Sequence, residues 1–329
     1  MGRGDMNVIV MIVQPDMAAT DRRQQRQQDR KPHPKDRQVS KTSSHGASIA
    51  PIGGRTPARF GVGGGAPGPF GRVIVIRMCG RYALTTPAEV LAQLFRAAID
   101  FELRTRYNIA PTQMAPVVRS RSEGSSGAHR EIAALRWGLV PSWAKDASIG
   151  SRLINARGET AAEKPAFRSA FKRRRCLVPA SGFFEWKKVE SARGGRAKKR
   201  PFYIYRADEQ PLVMAGLWES WTDPESGKPI ETYAILTTDA NDQLRDLHDR
   251  MPVILEPEQF DVWLDPEPDD DPGPRQSLLK PAADGVLAMY PVSTRVNSSR
   301  HDEASLIEPV SETGGNDGDR DDSTPSLFD

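Results

Sequence analysis

Apolar residues are unevenly spread along the chain. Over residues 1–72 they occur singly or in one short early run, 8–13, which follows Asp5 and meets Gln14-Pro15-Asp16; residues 21–30 contain none. So little apolar surface cannot offset the entropy lost on ordering, and this length is predicted to be disordered. Patterned sequence begins near Val73, where Val73-Ile74-Val75-Ile76 reads as a strand. Thr86-Pro87-Ala88-Glu89 combines an N-cap, a proline at the first helical position and a capping-box glutamate. It predicts a helix to about Ala98 with Val90, Leu91, Leu94 and Ala98 on one face. Short β-rich runs follow at 115–119, 132–138, 175–179, 183–189, 202–206, 212–218 and 232–237, and the pair flanking 191–199 predicts a hairpin with a long basic loop. Asp239 is expected to cap a short helix ending around His248, and 257–264 predicts another. Strands and helices mix without βαβ regularity or internal repeat, which predicts one α+β domain over about 78–310. Beyond it, 311–329 returns to Gly, Asp and Ser and reads as a loose acidic tail.

Composition narrows this further. The 329 residues are 38% hydrophobic and 27% charged, which suits one large or two small soluble domains plus unpacked length. No stretch approaches the ~18 apolar residues of a spanning helix, and the early apolar run does not read as a secretory signal. Two cysteines, Cys79 and Cys176, argue against a disulfide framework and fit a reducing cytoplasm. Charge is split: residues 1–77 carry 13 Lys and Arg against 5 Asp, whereas 301–329 carry 1 Arg against 9 Asp and Glu. The weakly basic middle permits nucleic-acid binding without requiring it. The basic lead suits a nucleic-acid arm, and equally a translated stretch upstream of the true start.

Of five histidines only His248, in Leu247-His248-Asp249-Arg250-Met251-Pro252, is placed for acid–base work; the alternative is a helix-terminal cap. The dispersed His and Cys predict no metal site, and no cofactor is expected. Glu185 stands among Phe183, Phe184 and Trp186, surroundings that would raise its pKa towards that of a proton shuttle, unless strand alternation turns it to solvent. Asn155, Arg157 and Glu159 fall within seven residues after an apolar pair, as a polar site or as a turn and helix cap. Trp137 and Trp143 lie beside Gly and Pro, where rings can stack on unpaired bases or simply pack in the core.

Taken together these runs are specific. Met78-Cys79-Gly80-Arg81-Tyr82, Arg106-Tyr107-Asn108-Ile109-Ala110-Pro111, Trp137-Gly138-Leu139-Val140-Pro141, Ile154-Asn155-Ala156-Arg157, Gly182-Phe183-Phe184-Glu185-Trp186, Leu247 to Pro252 and Pro291-Val292-Ser293 resemble, in order, the SRAP family. These are SOS-response-associated peptidase-like proteins that cross-link to abasic sites in single-stranded DNA. The resemblance implies a single domain over 78–310 with a mixed, largely antiparallel barrel-like sheet surrounded by helices. It implies a catalytic set of Cys79, Asn155, Glu185 and His248, and DNA contacts from Arg81, Trp137, Arg157, Thr237 and Arg250. It also implies a cytoplasmic protein, monomeric and recruited to damaged DNA, and a proposed self-processing peptidase activity.

The chemistry sets a condition. An aldehyde is captured by an amine that forms an imine and a thiol that closes a five-membered thiazolidine, both supplied by an N-terminal cysteine. An internal Cys79 has its nitrogen in an amide, so the reactive chain is expected to start at Cys79, either by initiation at Met78 and methionine removal or by cleavage of the 78–79 bond. The first route would leave 1–77 outside the mature protein. Two other readings stay open: a cysteine peptidase using Cys79, His248 and Asn155 or Glu185, and a non-covalent single-stranded DNA module.

Overall fold

The structure is a computed structural model and describes residues 79–122, 128–189, 198–267 and 273–310. The basic lead with its 73–76 strand, the acidic tail and the hairpin loop at 190–197 lie outside the described residues.

Five strands close into a barrel. In chain order they are β4 (Met114–Ser122), β5 (Ala128–Trp137), β7 (Arg175–Ala180), β10 (Leu212–Thr222) and β11 (Pro229–Asp239), with β6 (Asn155–Arg157) between β5 and β7 in sequence. Antiparallel pairing runs β11–β10–β7–β4–β5, and a parallel pairing of β5 with β11, Tyr233 opposite Trp137, closes the ring. β6 also lies parallel to β11, with Asn155 opposite Ile235 and Arg157 opposite Thr237. Every residue of β7 is buried. Its outer side is covered by Phe171 and Trp263, whose rings meet edge to face and whose indole donates to the Cys176 carbonyl (2.9 Å). A strand covered on both faces needs the continuous apolar run that this segment has.

A second, antiparallel sheet carries β1 (Tyr82–Leu84), β3 (Arg106–Ile109), β8 (Gly182–Val189), β9 (Lys198–Arg206) and β13 (Leu287–Pro291) in the order β13–β9–β8–β1–β3. β1 sits directly against β8, Tyr82 opposite Phe183 and Ala83 opposite Gly182. The expected hairpin is β8–β9. The α+β expectation therefore takes the form of a closed five-stranded mixed barrel with added strands and few, short helices.

Two local expectations need correction. The first helix, α1, is Ala88–Phe95 and buries Leu91 and Phe95, while Val90 and Ala98 are exposed. It stops at Arg96, which takes the left-handed conformation (φ 50°) while the Ala97 N–H bonds back to the Ala92 carbonyl (3.1 Å). Thr86 caps nothing; its hydroxyl meets Ser181 (3.2 Å). Asp239 ends β11 and receives Arg250 (2.6 Å), and the cap of helix Asp242–Arg245 is Asn241, whose Oδ1 accepts from the Leu244 N–H (3.0 Å). A strand terminus and a nearby guanidinium claim the aspartate that a local pattern assigns to the helix.

The β8–β9 contact tolerates no added atom at Gly182. A Cβ there would lie 2.6 Å from the Ile204 carbonyl oxygen and 2.5 Å from the Tyr203 ring. Gly182→Ala is expected to cost ~1–3 kcal/mol, a fall in Tm of roughly 2–10 °C by calorimetry. An unchanged Tm would mean that β8 and β9 part without cost.

Candidate active site

Cys79 precedes β1 by two residues and is fully buried, 0% exposed, with a left-handed backbone (φ 45°). Its backbone N–H donates to Oε1 of Glu185, which lies on β8 and is 3% exposed. Strand alternation thus turns Glu185 inward rather than to solvent, and the β1–β8 register brings the two residues together across 106 positions of sequence. Burial raises the Glu185 carboxyl from 4.5 to about 8. The N–H groups of Cys79 and Trp186 and the charge of Lys199 oppose that rise, and Asp249 adds to it. Burial, then the charge of Glu185, pushes the Cys79 thiol well above its ordinary range, so the thiol keeps its proton at neutral pH.

Around Cys79 lies a buried aromatic group. The hydroxyls of Tyr82 and Tyr233 bond each other at 2.7 Å, and burial raises both above the usual tyrosine value. The Trp137 ring packs edge-on to Tyr82 (5.2 Å) and parallel to Tyr233 (6.3 Å), and its indole donates to the Ile154 carbonyl (2.9 Å). That bond holds the start of β6, where half-buried Asn155 follows. Trp137 is 0% exposed. The expectation that it lies against DNA bases does not fit this burial: packed on Tyr82 and Tyr233, the ring presents no surface to a base in this structure. Trp143, 60% exposed, is the tryptophan of that segment that reaches solvent.

His248 follows helix Asp242–Arg245 and is half-buried. Its Nδ1 accepts the Arg250 N–H at 3.1 Å and lies 2.8 Å from Oδ1 of Asp249. The two contacts exclude each other: Nδ1 accepts from the backbone only without a proton, and donates to Asp249 when it carries one, in the Nδ1–H tautomer or the imidazolium. Burial lowers its pKa, Asp249 partly offsets this, and Lys199, Arg250 and Lys188 add to the fall. The neutral form therefore dominates at pH 7. Lys199 and Asp249 act on both Glu185 and His248, which places the two in one electrostatic neighbourhood.

The arginines differ in placement. Arg157 ends β6 and is exposed. Arg250 grips both carboxylate oxygens of Glu159 (2.7 and 2.8 Å), Asp239 and the Thr237 carbonyl (2.8 Å). Thr237 is buried, its hydroxyl 3.4 Å from the Ala156 carbonyl. Arg81 is turned inward to Asn108 and to two backbone carbonyls near residue 296. The residues to which sequence inspection gave no role are Asn108, Asp249 and the Tyr82–Tyr233 pair. Asn108 had a visible signal, an amide inside the apolar alternation of β3, the same kind that singled out Glu185.

The family whose sequence pattern fits this chain is described as SOS response associated peptidase (SRAP), and the match spans residues 78–299. The chain belongs to the SRAP family. This SRAP chain is 38% identical over 234 residues to the Bacillus subtilis abasic site processing protein YoqW, covering 70% of this chain and 99% of that one. That relative consists of essentially this region alone. Identity is 34% over 244 residues to the Escherichia coli abasic site processing protein YedK (71% and 100% covered), and 34% over 233 residues to the Gallus gallus abasic site processing protein HMCES (63% and 67% covered). A solved structure from Bacteroides thetaiotaomicron superposes with a TM-score of 0.61 at 28% identity, covering 70% of this chain and 100% of that one. No helix among the described residues is long and apolar enough to cross a membrane.

The raised carboxyl makes a signed prediction. Between pH 4.5 and about 8 the folded protein holds a proton on Glu185 that the unfolded chain has released, so its contribution to stability is full below pH 4.5 and is lost as pH rises through about 8. Glu185→Gln in the full-length chain keeps an acceptor for the Cys79 N–H but cannot ionise. Its Tm relative to the parent should rise from pH 5 to about pH 8 and level off above that in thermal melts. A difference independent of pH would show that the carboxyl titrates normally.

Proposed function

We propose that this protein processes abasic sites in single-stranded DNA by capturing the sugar aldehyde covalently on Cys79. The observation that carries the reading is the Cys79 nitrogen seated on a buried carboxyl that changes protonation at about pH 8. In a chain beginning at Cys79 that nitrogen is a primary amine, with a reference pKa of ~7.7–8.0. A buried carboxyl held against that amine is placed to take and return its protons. The backbone at residue 79 agrees: a left-handed φ costs an internal non-glycine residue about 1 kcal/mol, whereas a first residue has no preceding carbonyl to clash with.

The steps balance without a redox partner. The amine attacks the open aldehyde carbon, Glu185 takes a proton from nitrogen and returns it to the departing hydroxyl, and one water leaves as the imine forms. The Cys79 sulfur adds to the imine carbon while its proton passes to nitrogen, closing the thiazolidine. Glu185 supplies the proton traffic. His248, neutral at pH 7, serves the sugar hydroxyl as the ring opens, and Asn155 orients the nucleophiles as a neutral donor and acceptor. Arg157 and, once freed from Glu159 and Asp239, Arg250 bind phosphate, with Thr237 beside them. A peptidase acting in trans is disfavoured, since burial and the Glu185 charge hold the thiol protonated.

The test compares an abasic with an intact single-stranded oligonucleotide on a denaturing gel. Protein beginning at Cys79 should give a shifted band with the abasic strand alone. Cys79→Ala should give none while binding intact strand within about threefold of the parent, and a chain retaining Met78 should also give none. An adduct formed by Cys79→Ala, or no adduct from the parent, would overturn the reading.

A further inference from the structure

Only Gly80 and Arg81 separate Cys79 from the first strand, and in a chain that begins at Cys79 so short an end would ordinarily fray. Here it is clasped from a distant part of the chain. Arg81 Nη1 donates to Asn108 Oδ1 (3.0 Å) and to the Val296 carbonyl (2.6 Å), and Nη2 donates to the Asn297 carbonyl (3.1 Å). Asn108, fully buried on β3, turns its Nδ2 to the carbonyls of Val296 (3.3 Å), Ser298 (3.0 Å) and His301 (2.9 Å). Asp302 closes the same segment onto β3 by accepting the N–H groups of Tyr107 (2.6 Å) and Asn108 (2.9 Å). On the other side, the indole of Trp186, the neighbour of Glu185, donates to Asn297 Oδ1 (2.7 Å). One C-terminal segment therefore holds both the residue two places after Cys79 and the residue next to its carboxylate partner.

We propose that Arg81, Asn108 and residues 296–302 form a clasp that keeps the Cys79 nitrogen on Glu185, so that Arg81 and Asn108 are positioning residues. The inference rests on the proposed capture at Cys79. It departs from the phosphate contact that family resemblance implies for Arg81: a guanidinium whose donors meet an amide oxygen and two carbonyls, and whose pKa burial lowers, would have to leave those partners to meet DNA. Carbonyl recognition at two angles also suits the planar fork of arginine better than the point charge of lysine.

The experiment uses protein starting at Cys79 and running to Asp329, a form whose matched region makes up nearly all of a relative. Three quantities are read for the parent, Arg81→Gln, Arg81→Lys and Trp186→Phe: the rate of adduct formation with an abasic strand, the affinity and salt dependence for an intact strand, and the maleimide alkylation rate of Cys79 against buried Cys176. With the clasp loosened, adduct formation should slow about tenfold or more in both Arg81 variants and less in Trp186→Phe, and Cys79 alkylation should quicken relative to Cys176. Intact-strand affinity and its salt slope should not move. A salt slope reduced by about 1 with weakened binding would make Arg81 a phosphate contact and overturn the proposal, as would unchanged adduct and alkylation rates. If alkylation quickens in the variants but the parent forms no adduct, the clasp stands and capture at Cys79 falls. Trp186→Phe, which removes a single donor, answers the question even if the Arg81 variants fold poorly.

Discussion

A backbone nitrogen donating to a buried carboxylate is the contact on which this structure turns. Neither Cys79 nor Glu185 reaches solvent, so the interaction is unscreened and the carboxyl is stable there mainly in its protonated form. An isolated buried acid would be a liability to the fold. On the proposed reading it faces an amine that can itself carry or lose a proton, and serves as that amine's proton reservoir. The same burial holds the thiol protonated, so on the proposed reading sulfur acts second, after nitrogen has made an electrophile beside it.

The scaffold makes the contact by register. β1 is three residues long and owes its place to β8 on one side and β3 on the other. A slip of one residue along β8 would turn Glu185 out and a neighbouring ring in. Gly182 allows β9 to approach β8 closely, and the segment near residue 296 fastens Arg81 just before β1. The barrel contributes rigidity, because Trp137 fills the space between Tyr82 and Tyr233 and ties the start of β6 in place. At the mouth, Glu159 and Asp239 hold Arg250 in a fixed pose, so an incoming phosphate would exchange with carboxylates rather than meet a bare cation.

Much of this was legible in residue order. Short β-rich runs marked the strands of the barrel and the β8–β9 hairpin, because each is covered on at least one face. A carboxylate among aromatics marked Glu185. What could not be read locally was decided by partners distant in sequence. Thr86 has the makings of a cap but is claimed by Ser181, and Asp239 is claimed by Arg250. Trp137 sits between Gly and residues typical of loops, yet two tyrosines and the Ile154 carbonyl enclose it. Asn108 and Arg81 look like members of a surface motif until the chain returns, nearly two hundred residues later, with the carbonyls they bind.

The most direct measurement locates the bond itself. Protein beginning at Cys79 is reacted with an abasic strand, digested with nuclease and trypsin, and examined by tandem mass spectrometry with iodoacetamide present. The account predicts a sugar remnant on the peptide Cys79-Gly80-Arg81, with the sulfur no longer alkylated and the α-nitrogen no longer free. A remnant on a lysine, or on Cys79 through sulfur alone with its amine intact, would contradict it.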